Sequence, residues 1–484
     1  MLSAKEKASY GLGAVGKDMV YMLSASYILY YFQDILGVSA AAMGVILLAA
    51  RVFDAFNDPI MGVVVAKTKT RWGKFRPWLL IGTLTNAVIL YLMFAAPPAL
   101  DGAGLVAYAA VTYILWGVTY TMMDIPYWSM IPAFTSGGKE REGLTTLARS
   151  CAGVGSAIVS IATMIVVPML GKAVASTAPH ELAARYPGQQ WIELNGFKYF
   201  TLVVALLFVL FTVITCLAVK EKSSVNMKTA SVKDMFKALV QNDQAMTVTV
   251  TIVLINCAIY ITSNLVIYFF KYDFGTTGWN GAYVLFNMFG GAIQVLSMMA
   301  LYPLLRRKFS SLQIFYICLG MAIIGYAVLL ILAFTNMSSV FLLFIPAFFI
   351  FAANGMLTVI TTVFLANTVD YGEVKNHRRD ESVIFSMQTF VVKLASGIAA
   401  LVASICLSIN HLQAGTEVSE ADKLVDWSLN VAQSAKTGLR MTMAVIPILG
   451  LIVAFFWFRK RYILTDEKVE EIAAEVKARH AEAE

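Results

Sequence analysis

The chain has 484 residues, 59% of them hydrophobic and 14% charged, against roughly a quarter charged in soluble domains. That balance excludes a chain whose main solvent is water. The formal net charge of +7 does not point to nucleic acid, because the Lys and Arg residues gather in alternate loops, as they do in membrane proteins.

A bilayer core about 30 Å thick needs roughly 20 apolar residues per helix. Runs of that kind predict spans at 9–36, 40–66, 77–97, 104–134, 149–171 and 199–219, then 246–270, 279–304, 312–335, 340–368, 383–409 and 439–458. Lys5 and Lys7 precede the first span without a cleavage-type motif, so that span reads as an uncleaved helix. The loop after the second span holds Lys67, Lys69, Arg71, Lys74 and Arg76, and the loop after the sixth holds Lys220, Lys222, Lys228, Lys233 and Lys237. Further even-numbered connections carry Arg306, Arg307 and Lys308, then Lys375, Arg378 and Arg379. The odd-numbered connections near Gly37, Asp101 and Asn336 carry neither Lys nor Arg, and those around Arg185 and Lys423 carry little. The positive-inside rule then puts both termini in the cytoplasm of a cell with the chain in its inner membrane.

The expected organisation is an N-terminal six-helix bundle over 1–219, a cytoplasmic middle loop over 220–245, a C-terminal six-helix bundle over 246–462 and a cytoplasmic tail over 463–484. The tail, with Glu467, Glu470, Glu471 and Lys477, reads as a solvated helix. The five cysteines (Cys151, Cys216, Cys257, Cys318 and Cys406) are scattered through apolar segments without metal-ligand spacing. The four histidines (His180, His377, His411 and His480) lie outside the long apolar runs. No cofactor is expected beyond a coupling ion.

An ionisable group at mid-span costs at least about 2.5 kcal/mol, so it faces a cavity or a partner. Such groups are Lys17 and Asp18 in the first span, Arg51, Asp54 and Asp58 in the second, Asp124 in the fourth, Arg149 at the expected start of the fifth and Lys393 in the eleventh. Counted inward at 1.5 Å per residue, Asp18, Asp54, Asp58, Asp124 and Lys393 all reach the midplane, where substrate sites of secondary transporters sit. Asp54 and Asp58 share a helix face, and two carboxylates in a poor dielectric require a neutralising proton, metal ion or ammonium. Asp54, Asn57, Asp58 and the Thr121 hydroxyl supply the oxygens that a hard cation such as Na⁺ prefers, with Lys393 as an internal counter-charge. Tyr120, Asp124 and Trp128 recur at helical spacing, and with Lys17, Asp18 and Arg149 they offer hydroxyl partners and an aromatic face to a pyranose.

Six segments carry a resemblance. SYGLGAVGKD (Ser9–Asp18), ARVFDAFNDPIMG (Ala50–Gly62), RWGKFRPW (Arg71–Trp78), ILWGVTYTMMDIPYWS (Ile114–Ser129), NTVDYGEVK (Asn367–Lys375) and SMQTFVVK (Ser386–Lys393) together resemble the glycoside, pentoside and hexuronide cation symporters, a branch of the major facilitator superfamily. Within that family the pattern is most similar to the melibiose carriers. The resemblance implies an all-α membrane protein of the major facilitator fold, with twelve helices in two bundles. It implies cation ligation at Asp54, Asn57, Asp58 and Thr121, sugar contacts at Lys17, Asp18, Asp124, Trp128 and Arg149, and a facing wall of Gln388, Thr389 and Lys393. Two positions depart from the family pattern: Thr358 stands in place of a cavity tryptophan, and Asn367 in place of the first Asp of DTVDYGE.

The expectation is a non-enzymatic, monomeric carrier in the lipid bilayer that imports a sugar such as a galactoside with Na⁺. The alternatives are a proton-coupled glycoside, pentoside or hexuronide carrier, a Na⁺-coupled lipid carrier, and a membrane sensor or enzyme. For the last of these the chain shows no catalytic dyad, nucleotide loop or soluble domain.

Overall fold

The computed structural model describes residues 2–483 except 136–137, 176–188, 222–236, 238–239, 275–278, 336, 338, 377–380 and 413–425. Lys222, Lys228, Lys233, Arg185, Arg378, Arg379, Lys423, His180 and His377 therefore lie outside the described residues. Among the described residues there is no β-strand.

In chain order the helices are α1 (Ala4–Tyr30), α2 (Ala40–Lys67), α3 (Arg76–Met93), α4 (Gly102–Phe134), α5 (Gly138–Ala175), α6 (Gln189–Ala218), α7 (Asp243–Phe269), α8 (Trp279–Leu296), α9 (Ser311–Thr335), α10 (Val340–Asn376), α11 (Glu381–Ile409), α12 (Gln433–Arg461) and α13 (Asp466–Ala483). α1 and α7 run on through π-helical turns, Tyr31–Ile35 and Phe270–Phe274, and α8 continues through Ser297–Leu301 into the short helix Tyr302–Arg306. Ten helices among the described residues are long and apolar enough to cross a membrane. α1 and α2, of 27 and 28 residues, also have the length of a span. They carry the charged groups Lys17 and Asp18, and Arg51, Asp54 and Asp58.

Several ends differ from the expected ones. α5 begins at Gly138 and α6 at Gln189, about three turns earlier than their apolar runs suggest. Arg149 consequently sits well inside α5 rather than at its start. The first turns of both helices are polar, with Lys139, Glu140, Arg141 and Glu142 in α5 and Gln190 and Glu193 in α6. An apolar run marks the hydrocarbon-facing part of a helix, and the helix itself continues into polar surroundings. α13 is also not solvated all round, since Val469, Ile472 and Val476 are buried and the helix packs on α10.

The chain forms two compact units: Met1–Ala238 with His377–Phe390, and Leu239–Asn376 with Val391–Glu484. Inside the first unit α1 packs on α5 and α6, α2 on α4, and α3 on α4 and α6. Inside the second, α7 packs on α12, α8 on α10, and α9 on α10 and α12. Each unit thus repeats the same pairings of its first helix with its sixth, its second with its fourth, and its third with its fourth and sixth. α1 approaches α5 so closely that a Cβ on Gly155 would lie 2.3 Å from the Val15 carbonyl oxygen, so only glycine fits there.

The start of α3 shows how loops are tied down. The backbone N–H groups of Lys74, Phe75 and Arg76 all donate to the Glu221 carboxylate, at 2.6, 3.0 and 3.0 Å, and a carboxylate at a helix N-terminus is favoured by the orphan donors and the dipole. Gly73, at φ +106°, leaves room for it, because a Cβ there would sit 2.5 Å from that carboxylate.

Candidate functional site

The side chains expected to bind a sugar in the first unit converge on α4. Lys17 is nearly fully buried, and its Nζ lies 2.8 Å from Asp124 Oδ1 and 3.0 Å from Asp18 Oδ2. The same ammonium donates to the Tyr120 hydroxyl at 3.1 Å. The Trp128 indole N–H donates to Asp124 Oδ1 at 3.1 Å, so two donors share one carboxylate oxygen and Oδ2 keeps acceptor capacity. The Arg149 guanidinium stacks on the Trp128 ring, 3.7 Å from its centroid, with Lys17 Nζ 5.1 Å from the same ring, a cation–π arrangement. Lys17 and Arg149 together balance Asp18 and Asp124, so the cluster carries no formal net charge.

One turn along α4, two of the residues expected to bind a cation meet. The Thr121 hydroxyl donates to Asp58 Oδ1 at 2.9 Å, and Asp58 is wholly buried. Asp54, one turn back on α2, lies against Gly117, one turn back on α4, so that a Cβ on Gly117 would be 3.1 Å from Asp54 Oδ1. α2 and α4 therefore run in the same direction here. Asn57 is half-buried, and its Nδ2 is buried without a hydrogen-bond acceptor. The Asp58 carboxylate and Thr121 hydroxyl in contact, with Asp54 one turn away on α2, are hard oxygens of the kind alkali cations take. Among the described residues no three His, Cys, Asp or Glu side chains are grouped to hold a metal ion.

The residues expected on α11 divide between the two units. Gln388 is buried, and half-buried Thr389 donates to the Phe385 carbonyl at 3.2 Å; both count with the first unit. Lys393, one turn after Thr389, is half-buried and belongs to the second unit. Thr358 donates to the Asn354 carbonyl at 2.9 Å, and Asn367 is buried, both within α10.

Other groups carry no signal in the sequence pattern. Tyr10 on α1 and Tyr127 on α4 are fully buried, stack at 4.4 Å and hydrogen-bond to each other's backbone. The available hint is the trio Gly11, Gly13 and Gly16, which lets α1 approach its neighbours. In the second unit Arg440 holds Asp273 in a buried two-pronged pair at 2.7 and 2.6 Å. Both lie at the edges of their apolar runs, where charges are ordinary.

The chain is similar to known proteins along nearly its whole length. A family model described as MFS/sugar transport protein matches residues 9–466. The raffinose carrier protein of Pediococcus pentosaceus is 26% identical over 483 residues, covering 96% of this chain and 70% of its own. The putative glycoside/cation symporter YagG of Escherichia coli is 27% identical, covering 100% and 97%, and the isoprimeverose transporter of Lactiplantibacillus pentosus is 26% identical, covering 100% and 93%. Among solved structures, the major facilitator transporter FucP in its outward conformation superposes with a TM-score of 0.67 at 14% identity, over 95% of this chain and 98% of that one. The proton:xylose symporter XylE gives 0.63 at 14%, over 97% and 98%. At such identities the two structures speak for the fold alone. With the family model spanning nearly the whole chain, this multi-pass membrane protein is a transporter, not an enzyme, and belongs to the MFS/sugar transport family.

Proposed function

We propose that the chain is a cation-coupled glycoside symporter of the inner membrane, with both termini in the cytoplasm, Na⁺ as coupling ion and a neutral sugar bound at Asp124. The observation that carries this reading is the charge-balanced cluster of Lys17, Asp18, Asp124 and Arg149. A neutral polyol can enter it without stranding a charge, whereas a hexuronide would bring one that needs its own partner. Asp124 Oδ2 is the acceptor for a sugar hydroxyl. Arg149 covers one face of the Trp128 indole, so a pyranose stacking there displaces the guanidinium, which then donates to the sugar hydroxyls. The relatives' names support a glycoside, since they include carriers of raffinose and isoprimeverose and a glycoside/cation symporter.

Coupling follows from α4. Thr121 and Asp124 are three residues apart on it, one bonded to Asp58 and the other to Lys17. A cation between Asp54 and Asp58 cancels their repulsion, seats α2 against α4 and thereby sets the face that carries Asp124, Tyr120 and Trp128. Such coupling is reciprocal, so the sugar raises cation affinity by the same factor. The loaded carrier then alternates between outward and inward openings, and each positive charge carried inward draws about 2.3 kcal/mol from a 100 mV potential. Gln388 and Thr389, which fall in the same unit as Asp124, complete the sugar site in this proposal.

Uptake of a panel of radiolabelled glycosides, pentosides and hexuronides into membrane vesicles tests it, with and without Na⁺ and at fixed pH. Na⁺-stimulated accumulation of a glycoside is expected, abolished by Asp124→Ala with the protein still inserted. Accumulation driven by a pH gradient alone would transfer the coupling role to H⁺, and full sugar affinity in Asp124→Ala would remove the sugar from this site.

A further inference from the structure

The proposed sugar site hangs on a stretch of α4 that its own backbone holds poorly. Pro126 and Pro132 both lie inside the helix. A proline has no N–H, so the carbonyl four residues earlier loses its donor. The carbonyls concerned are those of Met122 and Trp128, which bracket Asp124 and the indole. The ladder is thus missing two rungs in the one segment where the relative orientation of Asp124 and Trp128 has to be set.

Across this gap lies the tyrosine pair. The Tyr10 hydroxyl donates to the Tyr127 carbonyl, and the Tyr127 hydroxyl donates to the Tyr10 carbonyl at 2.7 Å. The two rings stack 4.4 Å apart at an interplanar angle of 12°. This reciprocal clamp joins α1 to α4 at the residue after Pro126. Neither hydroxyl reaches the Asp124 cluster by a hydrogen bond, yet the Tyr127 ring meets the Trp128 ring edge-on at 5.1 Å and 90°, and lies 5.9 Å from Lys17 Nζ. Behind it, Gly13 brings α1 close enough that a Cβ there would be 3.2 Å from the Tyr127 ring and 2.6 Å from Thr215 Oγ1, while Thr215 donates to the Ser9 carbonyl at 2.6 Å. The clamp is therefore backed on its α1 side.

We infer that Tyr10 and Tyr127 are positioning residues for transport: their reciprocal side-chain-to-backbone hydrogen bonds brace α4 against α1 in the segment that Pro126 and Pro132 weaken, and hold Trp128 and Lys17 in register with Asp124. The inference rests on the assignment of the sugar to Asp124. It predicts an effect on sugar affinity from two hydroxyls that touch no sugar. It also predicts that the two hydroxyls act as one unit, because a clamp opened at one bond no longer fixes the joint.

The test uses Tyr10→Phe, Tyr127→Phe and the double variant, each keeping the stacked rings and losing only hydroxyls, with Asp124→Asn in parallel. Sugar affinity, the maximal uptake rate at saturating sugar, and thermal stability of the full carrier are measured for each, using the best glycoside from the vesicle panel. Each single variant is expected to weaken sugar binding about threefold to tenfold, the range of one hydrogen bond. The double variant should be no more than about twice as weak as the worse single, and the maximal rate should stay within about twofold of the parent. If Asp124→Asn loses binding while the tyrosine variants bind sugar as the parent does, the clamp is not a positioning device and the sugar site stands. A fall in thermal stability and maximal rate at unchanged affinity gives the pair a purely structural role and overturns the inference. Parent-like affinity in Asp124→Asn overturns both readings.

Discussion

Replacing Lys17 by Met removes one ammonium and strands two carboxylates. Lys17 Nζ stands 2.8 Å from Asp124 and 3.0 Å from Asp18, and the three side chains are 5%, 12% and 19% exposed. At an effective dielectric of 20, each contact is worth about 6 kcal/mol of gross Coulomb attraction. Most of that repays the cost of taking the ions out of water, so the intact cluster adds little net stability. Breaking it is different, because truncating one partner of a buried pair costs about 3–5 kcal/mol. At roughly 2–4 °C per kcal/mol for a unit of this size, Lys17→Met should lower the unfolding temperature by about 6–20 °C. Thermal unfolding of the purified carrier in detergent, followed by circular dichroism, measures the drop. Asp124→Asn placed on top of Lys17→Met should recover at least about 1 kcal/mol of the loss, since one stranded charge has gone. A fall below about 2 °C in Lys17→Met, or strictly additive losses in the double variant, would refute the argument that this ammonium is an ion-pair partner of both carboxylates.

Other outcomes follow from the same geometry. Asp58→Cys should uncouple the carrier: sugar still binds and equilibrates, but Na⁺ no longer stimulates binding, and accumulation against a gradient with unchanged Na⁺ dependence would make the Asp58–Thr121 contact structural. In the second unit, Asp273→Asn should destabilise by about 3–5 kcal/mol by leaving Arg440 buried without its carboxylate, and a paired replacement by Leu at both positions should restore most of the lost thermal stability. Single cysteines at exposed Ala99 and Lys308 should be labelled by membrane-impermeant reagents from outside and from the cytoplasm respectively, and labelling of Lys308→Cys from outside would reverse the topology.

The helices were legible because the bilayer demands long apolar runs, and the departures have the same physical origin. An apolar run reports the part of a helix that meets lipid, so the polar first turns of α5 and α6 escape it. α13 could have been read more closely, because Val469, Ile472 and Val476 fall at helical spacing on one face. The intramembrane charges were legible singly, each being costly enough to need a reason. What the sequence does not contain is their pairing, since Lys17 meets Asp124 across more than a hundred residues of chain, and no periodicity links two helices. The same holds for Tyr10 with Tyr127 and for Arg440 with Asp273. A buried hydroxyl or an arginine at the edge of an apolar run looks ordinary until its partner is known.

The seat of Glu221 on the first turn of α3 has a practical consequence for dividing the molecule. Three backbone amides of the α2–α3 connection depend on that one carboxylate, although it comes after the last residue of α6. A carrier produced as two co-expressed polypeptides should therefore be cut after Glu221. A break placed only a few residues earlier, at the end of α6, would send the carboxylate away with the wrong fragment, and the first fragment would insert with the start of α3 uncapped.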